Sequence, residues 1–253
     1  INELYVKPMR DMVIYSPNNK IPDTTTQSES NSEMNFGYDT AKKNLTCSLG
    51  DPQALDFYNH QDIVKKEMPD KFKLATWNLW GVTKFTFSML NIRLPYIVEE
   101  MKKVDADIIC LQEVSDAVYQ YLISDDWILS TYFVSHHFID EGYDISCVVL
   151  SKYLPERAYF RTLQGEQVYT ANVIDLGKFL VLNHHAQAGS KYSVGTVHPE
   201  KYTTCRKDHL KMMIDDLDHF KKPEQDLIIL GDFNFDLGNP EWEENEILSG
   251  WKD

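Results

Sequence analysis

Asp232 and Asn234 are the residues best placed to do chemistry. They follow Gly231 at the end of the apolar run Leu227-Ile228-Ile229-Leu230. A buried strand that stops at a tight glycine turn holds two polar side chains rigidly at the rim of a sheet. A fixed carboxylate beside a fixed amide suits a centre that orients water and stabilises charge on a phosphate. Strand–Gly–Asp turns are common, so this one gains its weight from three other stretches of the same design. Phe72-Lys73-Leu74-Ala75-Thr76-Trp77-Asn78 reads as a strand ending at Asn78. Ile108-Ile109-Cys110-Leu111-Gln112-Glu113 ends at Glu113, and Phe179-Leu180-Val181-Leu182-Asn183 runs into His184-His185.

Each polar residue alone has an ordinary structural explanation. Asn78 can stop a strand through an Asx-turn, and Glu113 can pair with a lysine. Neighbouring strand residues point to opposite faces, so only one of His184 and His185 is expected to face a site. Four such strand ends in one chain shift the balance towards chemistry. Carboxylate and amide oxygens suit a hard cation such as Mg²⁺. One such cation polarises a phosphoryl oxygen and neutralises developing charge. A histidine alongside can donate a hydrogen bond to a phosphate oxygen or move a proton.

The elements that must position these residues follow from apolar periodicity. Leu94, Ile97, Val98, Met101 and Val104 mark one face of a helix between the strands ending in Asn78 and Glu113. Strand–helix–strand predicts neighbouring parallel strands with their ends at the same sheet edge. A short helix is predicted from Asp116 to Ile123. Strands are predicted at 132–135, 145–151, 158–162, 167–174 and 179–183, and their close spacing favours antiparallel pairing. A long helix follows Pro199, with Leu210, Met213, Ile214, Leu217 and Phe220 as its stripe. Asp226–Leu230 is the strand before Gly231, and Glu241–Leu248 is predicted to be helical. Residues 1–70 read as an extension, with a short strand at Asp11–Ser16, a flexible Thr/Ser/Asn/Glu-rich stretch at Thr24–Asn35, and a helix within Ala54–Met68. Residues 71–253 read as the domain that carries the chemistry.

The chain has 253 residues, 43% of them hydrophobic, enough for one sizeable core. Its net charge of −14 argues against indiscriminate duplex binding through a basic surface, though not against a local basic groove. None of the four cysteines has metal-site spacing, and Cys110 and Cys147 lie in apolar runs. Reduced core thiols and an intracellular location are therefore expected. No stretch approaches the roughly 18 apolar residues of a membrane span, and the first residues do not resemble a signal peptide. Asn44-Leu45-Thr46 is a glycosylation sequon, which matters only in a secreted protein. The chain begins at Ile1 and stops at Asp253 where a further element is expected, so it reads as a piece of a longer protein.

Thr76-Trp77-Asn78, Leu111-Gln112-Glu113-Val114, Asn183-His184-His185 and Gly231-Asp232-Phe233-Asn234 occur in that order. Together they resemble the endonuclease/exonuclease/phosphatase superfamily from about Lys71 onwards. Within it, Glu141-Gly142-Tyr143 and Arg206-Lys207-Asp208-His209-Leu210 are similar to the 5′-tyrosyl-DNA phosphodiesterases. Trp77-Asn78-Leu79-Trp80-Gly81 and His185-Ala186-Gln187-Ala188 equally resemble the sphingomyelinase-like branch.

The resemblance implies an α/β fold, a four-layer sandwich of two packed mixed β-sheets flanked by helices, with its C-terminal part missing here. It implies Mg²⁺, or Mn²⁺ in its place, bound by Glu113 with Asn78 close to the metal or phosphate. Asp232 would orient the attacking water, Asn234 and His185 would stabilise the transition state, and Tyr143 would sit near the phosphate. Arg206 would support the site from the helix. The implied activity is hydrolysis of a phosphodiester, first of all a 5′-tyrosyl-DNA-type nucleic-acid end. A nuclease or sphingomyelinase-like activity, or a non-catalytic binding module, are the alternatives. Two departures stand out. The superfamily's terminal Ser-Asp-His is absent from this chain, and the run Val168–Asn172 lacks the arginine that the tyrosyl-DNA group carries there.

Overall fold

Ile108–Val114 (β6) is buried along almost its whole length, which only a strand covered on both faces can satisfy. In the computed structural model this strand sits inside one of two mixed sheets. The structure describes residues 4–6, 48–58, 69, 71–81, 89–138, 145–164, 168–189 and 199–234. The expectations for Asp11–Ser16, Thr24–Asn35, Glu241–Leu248 and Tyr143 lie outside them.

Before β6 come four short strands and the strand ending in Asn78. These are β1 (Leu4–Val6), β2 (Ser48–Leu49), β3 (Gln53–Ala54), β4 (Phe57–Tyr58) and β5 (Leu74–Asn78). Helix α1 (Leu90–Val104) links β5 to β6, and the two strands are parallel, as the strand–helix–strand pattern predicts. After β6 come α2 (Asp116–Leu122), α3 (Asp126–Thr131), β7 (Phe133–Ser135) and β8 (Ser146–Ser151). The chain then forms β9 (Arg157–Gln164), β10 (Val168–Asp175), β11 (Phe179–His185), α4 (Pro199–Phe220) and β12 (Asp226–Asp232).

Among the described residues the first sheet has the order β1-β5-β6-β8-β7-β4. The second has the order β12-β11-β10-β9-β2, with β3 also on β9. The antiparallel pairing expected for residues 132–183 holds within each sheet, while β11 and β12 are parallel. The strands of that stretch divide between the two sheets at residues 152–156, between β8 and β9.

Strand alternation builds the layers. Leu74, Ile108, Cys110 and Val149 of the first sheet meet Ile174, Val181, Ile228 and Leu230 of the second. The alternate residues Ile109, Leu111, Val148 and Leu150 face out, under Leu94, Ile97, Val98 and Met101 of α1. On the far side Leu163, Ala171, Leu180 and Leu182 pack under Met213 and Leu217 of α4. The result is the helix–sheet–sheet–helix sandwich that the motifs imply.

Four differences from the sequence reading have physical causes. Helix α1 starts at Leu90, a turn before Leu94, because Leu90 lies on the same buried face and Pro95 is tolerated on the exposed side. Helix α3 was not expected; the Asp125 carboxylate caps it by accepting from the N–H groups of Trp127 and Ile128. Residues 53–54 and 57–58 are strands rather than the start of a helix, because the edges of β9 and β7 offer unpaired backbone. The stretch ahead of Lys71, expected as an extension, lends short strands to both sheets: β1 lies parallel to β5, and β2 and β4 close opposite sheets.

Cys110 and Cys147 are buried free thiols, as their apolar runs predict. Cys205 on α4 corrects the expectation of reduced thiols throughout, since it is disulfide-bonded with its partner outside the described residues.

Candidate metal and phosphoester site

The ends of β5, β6, β11 and β12 converge at one edge of the two sheets. Register explains the meeting within each sheet. Asn78 lies opposite Gln112, next to Glu113, and His185 lies opposite Asp232. Polar ties hold the sheets to each other. Asn183 is fully buried; its amide donates to the carbonyls of Leu111 and Val148, each at 3.1 Å, and its Oδ1 accepts from Gln112 Nε2 at 2.7 Å. Gln112 also meets the Thr76 hydroxyl. A buried polar network with every partner satisfied fixes one alignment of its elements. Gln112 and Asn183 belong to the strand-end motifs, and sequence alone assigns them no role. Their signal was polarity inside otherwise apolar runs.

Local backbone then aims the side chains. The β6–β8 register shifts between Leu111 and Val114, a bulge that re-aims Glu113. Glu113 has φ 52°, Trp80 φ 48° and Asn234 φ 51°, left-handed conformations that are uncommon outside glycine. Three of them around one site mark a backbone shaped for the placement of side chains. Gly231 has φ 150°, and a Cβ there would collide with the backbone carbonyl of His184 on the neighbouring strand. Gly231→Ala is expected to destabilise the fold by roughly 3 kcal/mol or more. A urea denaturation midpoint equal to that of the parent would refute this account of the turn.

Glu113, His185 and Asp232 each bring a ligand atom within 4.8 Å of the others. Asn78 Nδ2 donates to Glu113 Oε1 at 2.8 Å and to Asp232 Oδ2 at 2.7 Å, so one amide spans both carboxylates. Asn78 Oδ1 in turn accepts from the Trp80 N–H at 2.9 Å. The other Asp232 oxygen accepts from the Asn234 N–H at 2.9 Å, and Asn234 Nδ2 donates to the Ala186 carbonyl at 2.9 Å. Asn78 was expected near a metal. It lies between two carboxylates with its nitrogen towards them, so as oriented it aligns Glu113 and Asp232, and His185 completes the cluster.

His185 Nε2 is buried, has no hydrogen-bond partner among the described residues, and lies 3.8 Å from Glu113 Oε1. Burial lowers the His185 pKa from its ordinary value, while Asp232 and Glu113 pull it back up. A neutral imidazole with an unspent nitrogen beside two carboxylates is a donor set that a divalent cation fits. His184 points the other way. It is fully buried beside Phe233, and burial, then His209 and His185, hold its pKa down at about 3. The expectation that only one histidine of the pair reaches the site matches this placement.

Arg206 is buried on α4. Its Nη1 donates to the carbonyls of Gln187 at 3.2 Å and Gly189 at 2.6 Å. It therefore pins the segment after His185 and does not itself enter the cluster. His209 is also off the site, within hydrogen-bonding distance of the Gln164 carbonyl.

A model of the endonuclease/exonuclease/phosphatase family matches residues 75–244. The chain belongs to that family. Its fold is similar to that of a β-hairpin deletion mutant of beta toxin from Staphylococcus aureus, at 14% identity and TM-score 0.53, with 72% of each chain covered. Another beta toxin mutant, solved with bound magnesium ions, matches at 14% identity and TM-score 0.51, covering 71% of this chain and 70% of that one. A humanized D. rerio TDP2 matches at 16% identity and TM-score 0.46, covering 68% of this chain and 64% of that chain, just under two-thirds of its length. A search of curated proteins found no match.

Proposed function

We propose that the protein is a divalent-cation-dependent phosphodiesterase that cleaves its substrate by direct attack of water. The observation that carries this reading is the cluster of Glu113, His185 and Asp232 ligand atoms within 4.8 Å, spanned by Asn78. Mg²⁺ is the proposed ion, with Mn²⁺ able to replace it, held by Glu113 with Asp232 and His185 alongside. Bound there, such a cation supplies Lewis-acid polarisation of a phosphoryl oxygen. Asp232, fixed by Asn78 and the Asn234 N–H, orients a water and takes its proton. His185, through its unspent nitrogen, would complete the cation's ligand set, and Asn234 holds the turn that carries Asp232. Asn78 keeps the two carboxylates aligned between turnovers. Tyr143 remains a proposed phosphate contact.

For the substrate, the resemblance of the Arg206–Leu210 run supports a 5′-tyrosyl-DNA-type nucleic-acid end. Two observations favour a second reading, a phosphodiester on a lipid. Thr170 and Asn172 of β10 are spent on the backbone of Cys147, so that strand offers no cation to a polyanion. Trp80, two residues after Asn78, is 41% exposed and presents an aromatic ring at the rim. Location divides the readings too. A DNA end requires the intracellular setting expected from sequence, whereas the disulfide at Cys205 suits an oxidising compartment.

The test is hydrolysis by the natural full-length protein of bis(p-nitrophenyl) phosphate, a 5′-phosphotyrosyl oligonucleotide and a choline phospholipid. Turnover of at least one is expected to vanish in EDTA and return with Mg²⁺ or Mn²⁺. Turnover that survives chelation refutes the metal role. No turnover of any diester leaves the non-catalytic binding module.

A further inference from the structure

Tyr169 of β10 touches the candidate site from the interior. Its ring stands nearly perpendicular to the His185 imidazole, with centroids 4.7 Å apart and planes at 84°. Both side chains are buried. A perpendicular pair at this separation attracts, because the positive edge of one ring meets the negative face of the other.

The tyrosine is itself fixed at both ends. It belongs to the apolar layer under α4, with Leu163, Ala171, Met213 and Leu217. Its hydroxyl accepts from the Ala188 N–H at 3.0 Å and from Gln187 Nε2 at 3.4 Å. One side chain therefore meets both the imidazole and the segment that leads away from it. The same segment is gripped elsewhere. Arg206 donates to the carbonyls of Gln187 and Gly189, and the Ala186 N–H donates to the Asp232 carbonyl at 2.8 Å.

These bonds fix the backbone around His185 but leave the rotation of its ring to side-chain contacts. A metal-ligating histidine is ordinarily turned by a hydrogen bond from its second ring nitrogen. Among the described residues no hydrogen bond reaches the His185 ring. The Tyr169 ring is packed where it can do the same work, and an aromatic contact spends neither nitrogen. We propose that Tyr169 is the positioning residue of His185, its ring holding the imidazole so that Nε2 faces Glu113 before a cation arrives. The inference rests on the divalent-cation reading of the site and adds what preorganises one of its ligands. The ring carries this role, while the hydroxyl steadies the segment after His185.

The experiment compares the full-length parent with Tyr169→Phe, which keeps the ring, and Tyr169→Leu, which removes it. Mn²⁺ affinity is measured without substrate, by electron paramagnetic resonance of the free ion. Hydrolysis of bis(p-nitrophenyl) phosphate is followed across a Mg²⁺ titration, with thermal unfolding in metal-free buffer as the control for folding. Tyr169→Leu is expected to bind Mn²⁺ about tenfold more weakly and to need correspondingly more Mg²⁺, with Tyr169→Phe within about twofold of the parent. Parent-like Mn²⁺ affinity in Tyr169→Leu overturns the positioning role and spares the phosphodiesterase reading. Equal losses in the two variants assign the effect to the hydroxyl and overturn the role of the ring. A parent that binds Mn²⁺ with the expected ranking of variants but cleaves no diester supports the positioning role and overturns the enzyme. A parent that cleaves diesters yet binds no Mn²⁺ overturns the proposal together with the cation site. If Tyr169→Leu does not fold, the parent decides by proton NMR. Nuclear Overhauser contacts between the Tyr169 and His185 rings should persist at saturating Mg²⁺, and their loss on Mg²⁺ addition overturns the proposal.

Discussion

Glu113→Gln is expected to lower phosphodiester turnover by about a thousandfold at fixed Mg²⁺ while the protein stays folded. The change removes one charge and no volume. Glu113 is 17% exposed at its side chain, and its Oε1 accepts from Asn78, a bond that a glutamine oxygen can replace. The fold therefore loses little. The cation site loses the carboxylate that β6 aims through its bulge and through a left-handed backbone. The Mg²⁺ dependence should shift to higher concentration along with the loss of rate, and thermal unfolding without metal should shift by only a few degrees. Parent-like turnover in this variant would remove Glu113 from the chemistry.

Asp232→Asn is expected to act differently. At saturating Mg²⁺ turnover should fall by roughly 10²–10⁴, because the group that takes the proton from water is gone. The change also has a structural cost. Asp232 accepts from both the Asn234 N–H and Asn78 Nδ2. An asparagine has only one oxygen, so one of these donors meets another donor, at about 1–3 kcal/mol. Steady-state kinetics across a Mg²⁺ titration separates the two variants. Glu113→Gln changes the metal requirement, whereas Asp232→Asn lowers the plateau. Matching profiles would mean that the carboxylates share one role and would overturn the division between holding metal and orienting water.

The candidate cluster of Asn78, Glu113, His185 and Asp232 was legible because each lies at the end of an apolar run, and a run that ends in polar residues is visible without coordinates. Parallel β5 and β6 followed from the intervening helix, and His185 and Asp232 then met by register. Other features left no periodic trace. The bulge at Gln112 and Glu113 depends on how β8 pairs with β6, a long-range relation that local pattern does not encode. The inter-sheet bonds of Asn183 looked like polar interruptions of a strand. The short strands β2, β3 and β4 have too few residues to show alternation, and they form because β9 and β7 expose edges to them. Arg206 resembled any arginine on a helix until the carbonyls of Gln187 and Gly189 gave it partners.

The central claim is that a divalent cation belongs between Glu113, His185 and Asp232. Anomalous diffraction from crystals of the full-length protein grown with Mn²⁺ tests it most directly. The account predicts a peak within coordination distance of the Glu113 carboxylate, absent from crystals of Glu113→Gln. No peak at that cluster in a protein whose hydrolysis requires Mn²⁺ would contradict it.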